Sequence, residues 1–454
     1  MRQRLSGWGN FPVAATDLGR PEQLRALREL VAADGPLIAR GLGRSYGDAA
    51  VCDGGTTVLM TRLNRFCALE ETGNADGEVV LRCEAGVSLA EIIAHLLPRG
   101  YFPPITPGTK FVTVGGAIAN DVHGKNHHVD GSFASCLLDL QLLLPSGEQL
   151  RCSRVEHPDI FWATVGGIGL TGIILEARLR LRRVPSAYLT VQYLRSRSLE
   201  ETIDLFRTTD VSTRYSVAWV DCLAPGKAMG RAVLMNGDHT PIQELPLSRR
   251  QLPYAIAAAR PKTVPLVPPI SLINHRTTAA FNALYYAGHS TRKTIVDYDH
   301  FFYPLDGVHH WNRVYGPAGF VQCQAVFPEE RGPSALAEVL TTLRAAHKPS
   351  FLAVLKRTGD PSGGLLSFPR RGWTLAVDIP VSRDLQPFMD DLHERIAGHG
   401  GRVYLAKDAT LSAAMFERMY PEVGAFMAVR DRCDPSHRLS SAMARRLGLG
   451  GGGQ

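Results

Sequence analysis

Leucines at 24, 27 and 30 in the stretch 20–33 (RPEQLRALRELVAA) recur at helical spacing behind a first-turn proline, which predicts a helix. Residues 36–40 (PLIAR) form a short apolar run ending in glycines and predict a buried strand, with further strands at 56–60 and 78–85. Ser88 with Glu91 three residues on opens a helix over 88–97, each side chain placed to satisfy a free amide at its start. Residues 137–144, a Pro-Ser-Gly turn and 149–153 predict a hairpin. The stretch 173–184 (IILEARLRLRRV) alternates from Leu175 onward, as a half-exposed strand does.

From about 186 the pattern changes. Strand signals at 188–194, 214–220, 319–327, 350–356 and 373–380 are separated by helices at 198–207, 332–347 and 384–398. That order predicts a second α+β unit with a mostly antiparallel sheet. Residues 236–312 look least regular: prolines fall at 261, 265, 268 and 269, before an apolar-aromatic stretch at 279–287. They read as a long excursion or lid. After 400 come a strand at 402–408 (RVYLAKD) and helices at 411–420 and 422–431, expected to pack back on the first unit.

At 454 residues, 45% apolar and 20% charged, the composition excludes a disordered or fibrous chain. No apolar run reaches the roughly 18 residues needed to span a bilayer. The start, MRQRLSGWGNFP, has no apolar segment behind its basic residues, so a cytosolic product is expected, with peripheral contact at the inner membrane, or the periplasm reached by another export route, left open. A net charge of +7 suits an anionic substrate or lipid, whereas dispersed arginines without a basic tract argue against nucleic acid. The eight cysteines, at 52, 67, 83, 136, 152, 222, 323 and 433, lack metal-site spacing and are expected to be buried reduced thiols.

Two glycine-rich loops carry the chemistry. Gly41-Leu42-Gly43-Arg44-Ser45-Tyr46-Gly47-Asp48 directly follows a strand, where freed backbone amides can cradle a pyrophosphate. It is not a dinucleotide fingerprint, because Tyr46 stands at the third glycine and a strand follows; a plain tight turn is the alternative. The second, TPGTKFVTVGGAIANDVHGKN at 106–126, is rich in small residues but departs from a nucleotide-triphosphate loop at Ala119 and Asn126. A literal G-x-G-x-x-G at 167–172 follows a helix-like segment and lacks the acid about twenty residues on, where Gln192 stands. His123, His127 and His128 have no Cys, Asp or Glu to complete a metal site, so hydrogen-bonding roles are expected. Lys407 follows Tyr404-Leu405-Ala406, where a surface lysine paired with Asp408 is the plain reading.

Together these segments resemble one flavoenzyme family. ARGLGRSYGD at 39–48, the stretch 106–133, FWATVGGIGLTGII at 161–174, WNRVYGPAGF at 311–320, GWTLAVDIP at 372–380 and YLAKD at 404–408 are similar to the decaprenylphosphoryl-β-D-ribose 2′-oxidases. Those are flavin subunits of 2-epimerases within the vanillyl-alcohol-oxidase-type FAD-linked oxidases. The resemblance runs from about 4 to 447 and is weakest over 236–300.

The resemblance implies a two-domain α+β fold. Residues 1–185, completed by about 401–454, would bind FAD, and 186–400 would form an antiparallel-sheet substrate domain with the 236–312 excursion. Gly43, Arg44, Ser45, Tyr46 and Gly47 would hold the pyrophosphate, with Ala39, Arg40, Gly41, Leu42 and Asp48 completing this cofactor-binding loop. Gly108, Thr113, Val114, Gly115, Gly116, Asn120, Asp121, Val122 and His123 would line the flavin, with Ile174 and Tyr404 beside it. Relatives with covalent flavin carry His where Arg44 stands, so noncovalent FAD is implied. Lys125, Trp219, Tyr315, Gln322, Gln324, Lys356 and Lys407 match the substrate pocket, and Lys407, Tyr46 and His123 the catalytic groups; no metal is implied.

The implied reaction oxidises the 2′-hydroxyl of a polyprenylphosphoryl-β-D-ribose to the 2′-keto sugar, on the route to the arabinose donor for cell-wall arabinan. The implied partners are a separate short-chain keto-reductase and a quinone. The alternative is an alditol or sugar-1,4-lactone oxidase. Two positions depart from mycobacterial relatives, Ala376 for Cys and Thr374 for Asn, which bears on pocket shape rather than on oxidation.

Overall fold

The computed structural model describes residues 2–74, 76–257 and 262–450; Pro261 and the tail at 451–454 lie outside the described residues. Among the described residues three large sheets build the molecule, with a small parallel pair of Lys262–Thr263 and Val308–His309 beside them. The first is four-stranded, in the order Arg2–Ser6, Val13–Gly19, Thr56–Leu59 and Leu37–Arg40. Its first pair is antiparallel and the rest parallel. Arg2–Ser6 (RQRLS) buries none of its residues, so no apolar alternation announces this edge strand in the sequence.

The second sheet is antiparallel, in the order Phe66–Glu71, Val79–Glu84, Ile173–Arg183, Leu137–Leu143 and Gln149–Ser153; Tyr101–Phe102 pairs beside the end of the central strand. Ile173–Arg183 alternates from Leu175 as expected: Leu175, Ala177, Leu179 and Leu181 are buried. On its other face Arg178 pairs with Asp139 (3.1 Å) and Arg182 with Asp130 (2.7 Å). The helix Leu89–Leu96 starts in the expected reciprocal cap, Ser88 accepting from the Glu91 amide and Glu91 accepting from the Ser88 amide.

The third sheet has eight antiparallel strands. Their order is Arg292–Asp297, Tyr188–Ser196, Ala232–His239, Tyr215–Val220, Ala353–Thr358, Gly372–Pro380, Phe320–Pro328 and Arg402–Val403. The two-residue period decides what this sheet does. Val321, Cys323, Ala325 and Phe327, with Trp373, Leu375, Val377 and Ile379, join one core with Phe206, Leu336, Leu340 and Leu392 from the helices Leu199–Thr209, Gly332–Ala345 and Leu385–Gly398. The alternate positions, Gln322, Gln324, Thr374, Ala376 and Asp378, therefore share the opposite face, in the register Gln322↔Asp378 and Gln324↔Ala376.

Several sequence expectations are corrected. The strand expected at 402–408 stops at Val403: the amides of Lys407 and Asp408 turn back to the Tyr404 carbonyl (2.9 and 3.1 Å), so Lys407 sits in a turn. The strand expected at 350–356 is Ala353–Thr358. The 236–312 region is more regular than its composition suggests, with the helix His275–Gly288 and the edge strand Arg292–Asp297. Seven cysteines are buried, but Cys67 is exposed on Phe66–Glu71.

The C-terminal segment returns to the first sheet, where Leu439 bridges Leu37 and the Ala442 amide donates to Val51. Arg446 clasps Asp48 (2.7 Å) and Asp408 (2.9 Å), tying the first glycine loop to the turn that carries Lys407. Among the described residues no helix is long and apolar enough to cross a membrane.

Candidate active site

One large cavity lies between the glycine loops and the open face of the eight-stranded sheet. Its first wall is the loop 41–48. A Cβ on Gly41 would come within 2.2 Å of the Thr113 hydroxyl, and Gly43, at φ 66°, would place one 2.3 Å from the Arg40 guanidinium. A Cβ on Gly47 would lie 1.9 Å from the Asp408 carbonyl. The Thr113 and Arg40 side chains and the Asp408 backbone therefore close on this loop. Trp8 and Gly9 amides donate to the Ser45 and Tyr46 carbonyls (2.8 and 3.1 Å), and the Tyr46 amide donates to Ala406 (3.0 Å).

Among the described residues the amides of 41–45 donate to no other protein group, which leaves them for an anion. Asn120 Oδ1 and His123 Nδ1 are also buried without a protein partner. Unpaired amides, glycine clearance and orphaned polar atoms along one cavity fit a flat dinucleotide with a pyrophosphate.

The second loop is fixed by its own helix. Thr113 caps Val114–Ala119 by accepting from the Gly116 amide (3.2 Å), while Val114 and Gly115 amides donate to Val87 and Ala85 (2.8 Å each). The Gly166 and Ile168 amides reach the Ile118 and Ala119 carbonyls at the far end (3.0 and 2.8 Å). Ile168, Gly169 and Gly172 of the G-x-G-x-x-G thus form a cavity wall, which sequence reasoning did not foresee once the motif failed as a dinucleotide fingerprint.

Arg44 lies with its guanidinium 4.0 Å from the Trp8 ring centroid and 5.3 Å from that of Phe111. A stacked guanidinium offers no nucleophile for a flavin link.

The sheet face supplies the other wall. Gln324 Nε2 donates to His123 Nε2 (2.8 Å) and to Thr374 Oγ1 (3.2 Å). Gln322 Nε2 donates to a carboxylate oxygen of Asp378 (2.5 Å), whose other oxygen accepts from Tyr315 (3.0 Å). Both amide nitrogens are engaged inside the protein, so these glutamines offer carbonyl oxygens as acceptors for ligand hydroxyls.

Burial, and then the neighbouring Lys356, His127 and Lys407, hold His123 neutral, well below the ordinary imidazole range. Its ring lies 5.4 Å from Phe368 and 5.2 Å from Tyr404, whose hydroxyl donates to the Asn120 carbonyl (2.7 Å).

Three amines share this space. Burial pushes Lys356 down to about 8. Burial and the charge of Lys356 bring Lys125 to about 7; its ammonium donates to the Phe301 carbonyl and lies 4.2 Å from that ring's centroid. Lys407 is lowered to about 7 by burial and Lys356, opposed by Asp378, and its Nζ stands 3.8 Å from the Tyr46 ring centroid. Burial in turn pushes Asp378 up. An amine poised near neutrality beside developing alkoxide can take a hydroxyl proton.

Most residues marked in the sequence come together here, including Ala39, Leu42, Ser45, Gly108, Val122, Ile174 and Trp219. Five do not line the cavity. Gly47 is spent on the close approach to Asp408, and Asp48 on Arg446. Val114 is core. Asp121 accepts from the Ala134 amide (3.1 Å) and the Ser362 and Ser367 hydroxyls (2.6 and 2.8 Å), leaving nothing for a cofactor. Tyr315 acts from behind through Asp378 and stacks on Phe320 at 4.0 Å.

His127 accepts from the Gly359 amide (2.9 Å) and His128 meets the Thr213 carbonyl (3.2 Å), the hydrogen-bonding roles expected of them. Asp378 and Trp8 were missed. A lone acid in the apolar run WTLAVDIP was the available signal for Asp378; nothing local marks Trp8.

This fold and cavity define an FAD-linked oxidase of the vanillyl-alcohol-oxidase type. A family model described as FAD binding domain matches residues 19–153, and one described as D-arabinono-1,4-lactone oxidase matches 317–447. The chain is similar to decaprenylphosphoryl-β-D-ribose oxidase of Mycolicibacterium smegmatis, 38% identical over 455 residues, 98% of each chain. It belongs to the decaprenylphosphoryl-β-D-ribose oxidase family. An uncharacterized protein of the mprA 5′ region of Streptomyces coelicolor is 36% identical over 80% of this chain and its own full length. Cytokinin dehydrogenase 2 of Arabidopsis thaliana is 31% identical over 147 residues, 32% of this chain and 28% of that one.

Proposed function

We propose that this enzyme oxidises the 2′-hydroxyl of a polyprenylphosphoryl-β-D-ribose to the 2′-ketone. The observation that carries the reading is the coexistence, in one cavity, of a glycine cradle with unpaired amides, two glutamine carbonyls and three lysines. Residues 1–185 with about 401–454 serve as the FAD domain in this account, and 186–400 as the substrate domain. FAD is bound noncovalently, because Arg44 occupies the linking position.

Bound FAD supplies the two-electron acceptor for the hydride leaving the 2′ carbon. Gln322 and Gln324 accept from sugar hydroxyls and orient the ring. Lys125 and Lys356 bind the phosphodiester, and Trp219 walls the sugar. Neutral Lys407 takes the 2′-hydroxyl proton onto Nζ, and the ammonium then rests against the Tyr46 ring and the Asp378 charge. His123, held neutral, keeps Gln324 in place.

A quinone is the oxidant we assign to the second half-reaction, because the substrate is carried in lipid, and peripheral membrane contact follows from the same argument. A separate short-chain keto-reductase completes the epimerisation by returning hydride to the ketone.

The match of 317–447 to D-arabinono-1,4-lactone oxidase favours a second reading, a free aldonolactone as substrate. Anaerobic mixing with each compound separates the two: prenylphosphoryl-ribose is expected to bleach the flavin band stoichiometrically. Bleaching by the lactone alone would replace the first reading by the second.

A further inference from the structure

Between Glu244 and Asp297 the chain has no Asp or Glu but seven Lys and Arg, as many charges as the net +7 of the whole molecule. Among the described residues none of these cations pairs with a carboxylate; Lys262, Arg276, Arg292 and Lys293 are exposed. The same run exposes large apolar side chains: Leu266, Ile270 and Leu284 are 76%, 72% and 75% exposed.

The helix His275–Gly288 is turned inside out. Its inward face is polar, with Thr278, Asn282 and Tyr286 buried. Asn282 donates to Asp221 (2.8 Å) and Tyr286 to the Ser196 carbonyl (3.0 Å). Phe281 and Leu284 face outward. A helix that meets only water does the reverse.

This surface begins where the cavity ends. The Lys262 amide donates to Gly307 (2.9 Å), the Leu272 amide to Val314 (2.8 Å) and the Arg313 guanidinium to Val264 (2.9 Å). Residues 262–272 are thereby laid along 307–314, which bring Trp311 to the cavity. The helix contributes Tyr285, whose ring lies 4.5 Å from Trp219 in the cavity wall.

We propose that the face formed by residues 262–272 and the outer side of His275–Gly288 docks on an anionic phospholipid surface, setting the aromatic end of the cavity at the bilayer. Two exposed cations, Lys262 and Arg276, set among the exposed Leu266, Ile270 and Leu284 with no Asp or Glu on the same segments, complement a lipid surface of the other sign. A protein surface would be met by paired charges of both signs. The inference rests on the prenylphosphoryl substrate reading and adds the surface that delivers it.

The test is sedimentation of the flavin-loaded protein with vesicles of phosphatidylcholine alone or of equimolar phosphatidylcholine and phosphatidylglycerol. Wild type is expected to sediment only with the mixed vesicles and to leave them at high salt. K262E/R276E changes the face by four charge units and should weaken partitioning by several hundredfold, at about a fivefold step per charge unit. L266E/I270E/L284E should also lose it.

Both variants should keep bound flavin and wild-type anaerobic reduction by a short-chain, water-soluble prenylphosphoryl-ribose. They should lose only turnover of long-chain substrate presented in vesicles. Wild type remaining in the supernatant, or both variants sedimenting like wild type, overturns the docking surface. Failure of the soluble substrate to reduce the flavin in wild type, with vesicle binding intact, strikes the substrate reading instead.

Discussion

Lys407 is the residue on which the chemistry turns. Burial and Lys356 lower its pKa to about 7, while Asp378 pulls the other way. A base must be unprotonated, so the rate of anaerobic flavin reduction at saturating substrate, where the phosphodiester already holds Lys125 and Lys356, should rise with pH through about 7 and then level. A rate that falls as pH rises through that range would make the charged amine the active form. Lys407→Ala should retain yellow flavin but slow reduction by roughly 10²–10⁴-fold, the usual contribution of a general base; reduction at the wild-type rate would remove Lys407 from the mechanism.

Asp378 is testable separately because asparagine has its shape. Asp378→Asn can still accept from Gln322 while losing the charge that favours the ammonium of Lys407. Its rising limb should therefore move to lower pH. An unmoved limb would show that Asp378 acts through hydrogen bonding alone.

Elements place these residues through backbone contacts that leave no room for side chains. Gly47 meets the Asp408 carbonyl where the first glycine loop crosses the turn bearing Lys407. Gly47→Ala must force the two apart, and the protein should be purified with little flavin and a lowered Tm. Gly424→Ala, whose Cβ would meet nothing within 4 Å, should keep full flavin and be neutral or slightly stabilising. Equal flavin content in the two variants would contradict the clamp.

The same comparison explains what the sequence made legible. The reciprocal cap at Ser88 and Glu91, the 137–153 hairpin and the alternation of Ile173–Arg183 are local signals and were readable. The turn at 404–407 looks like a strand because its apolar residues are buried by tertiary packing rather than by a ladder. The helix His275–Gly288 hides because its inward face is polar.

At the scale of the molecule, the site exists because the chain ends return to each other. Trp8 from the N-terminus backs Arg44, and Arg446 from the C-terminus bridges two buried carboxylates, Asp48 and Asp408. Arg446→Met would leave both acids without their partner. It should cost about 3 kcal/mol in denaturant unfolding, toward the lower end for a broken buried pair because Arg446 is partly exposed. A loss under about 1 kcal/mol, the usual worth of a surface pair, would contradict the clasp.

These long-range closures were beyond sequence reasoning, since no local pattern joins residue 8 to 44 or 48 to 446. The pocket's residue types were readable through the family resemblance. Their division between cavity wall and support was not: Asp121 and Tyr315 look like wall residues until their hydrogen bonds are seen.

One cavity both holds FAD and oxidises a phosphoprenylated ribose at its 2′-hydroxyl in the function proposed above. Anaerobic titration of the flavin-loaded enzyme with a short-chain prenylphosphoryl-β-D-ribose, followed by identification of the sugar product, tests it most directly. One equivalent of flavin should bleach per equivalent of 2′-keto sugar formed. A flavin that stays yellow with this substrate and bleaches with a free aldonolactone would contradict it.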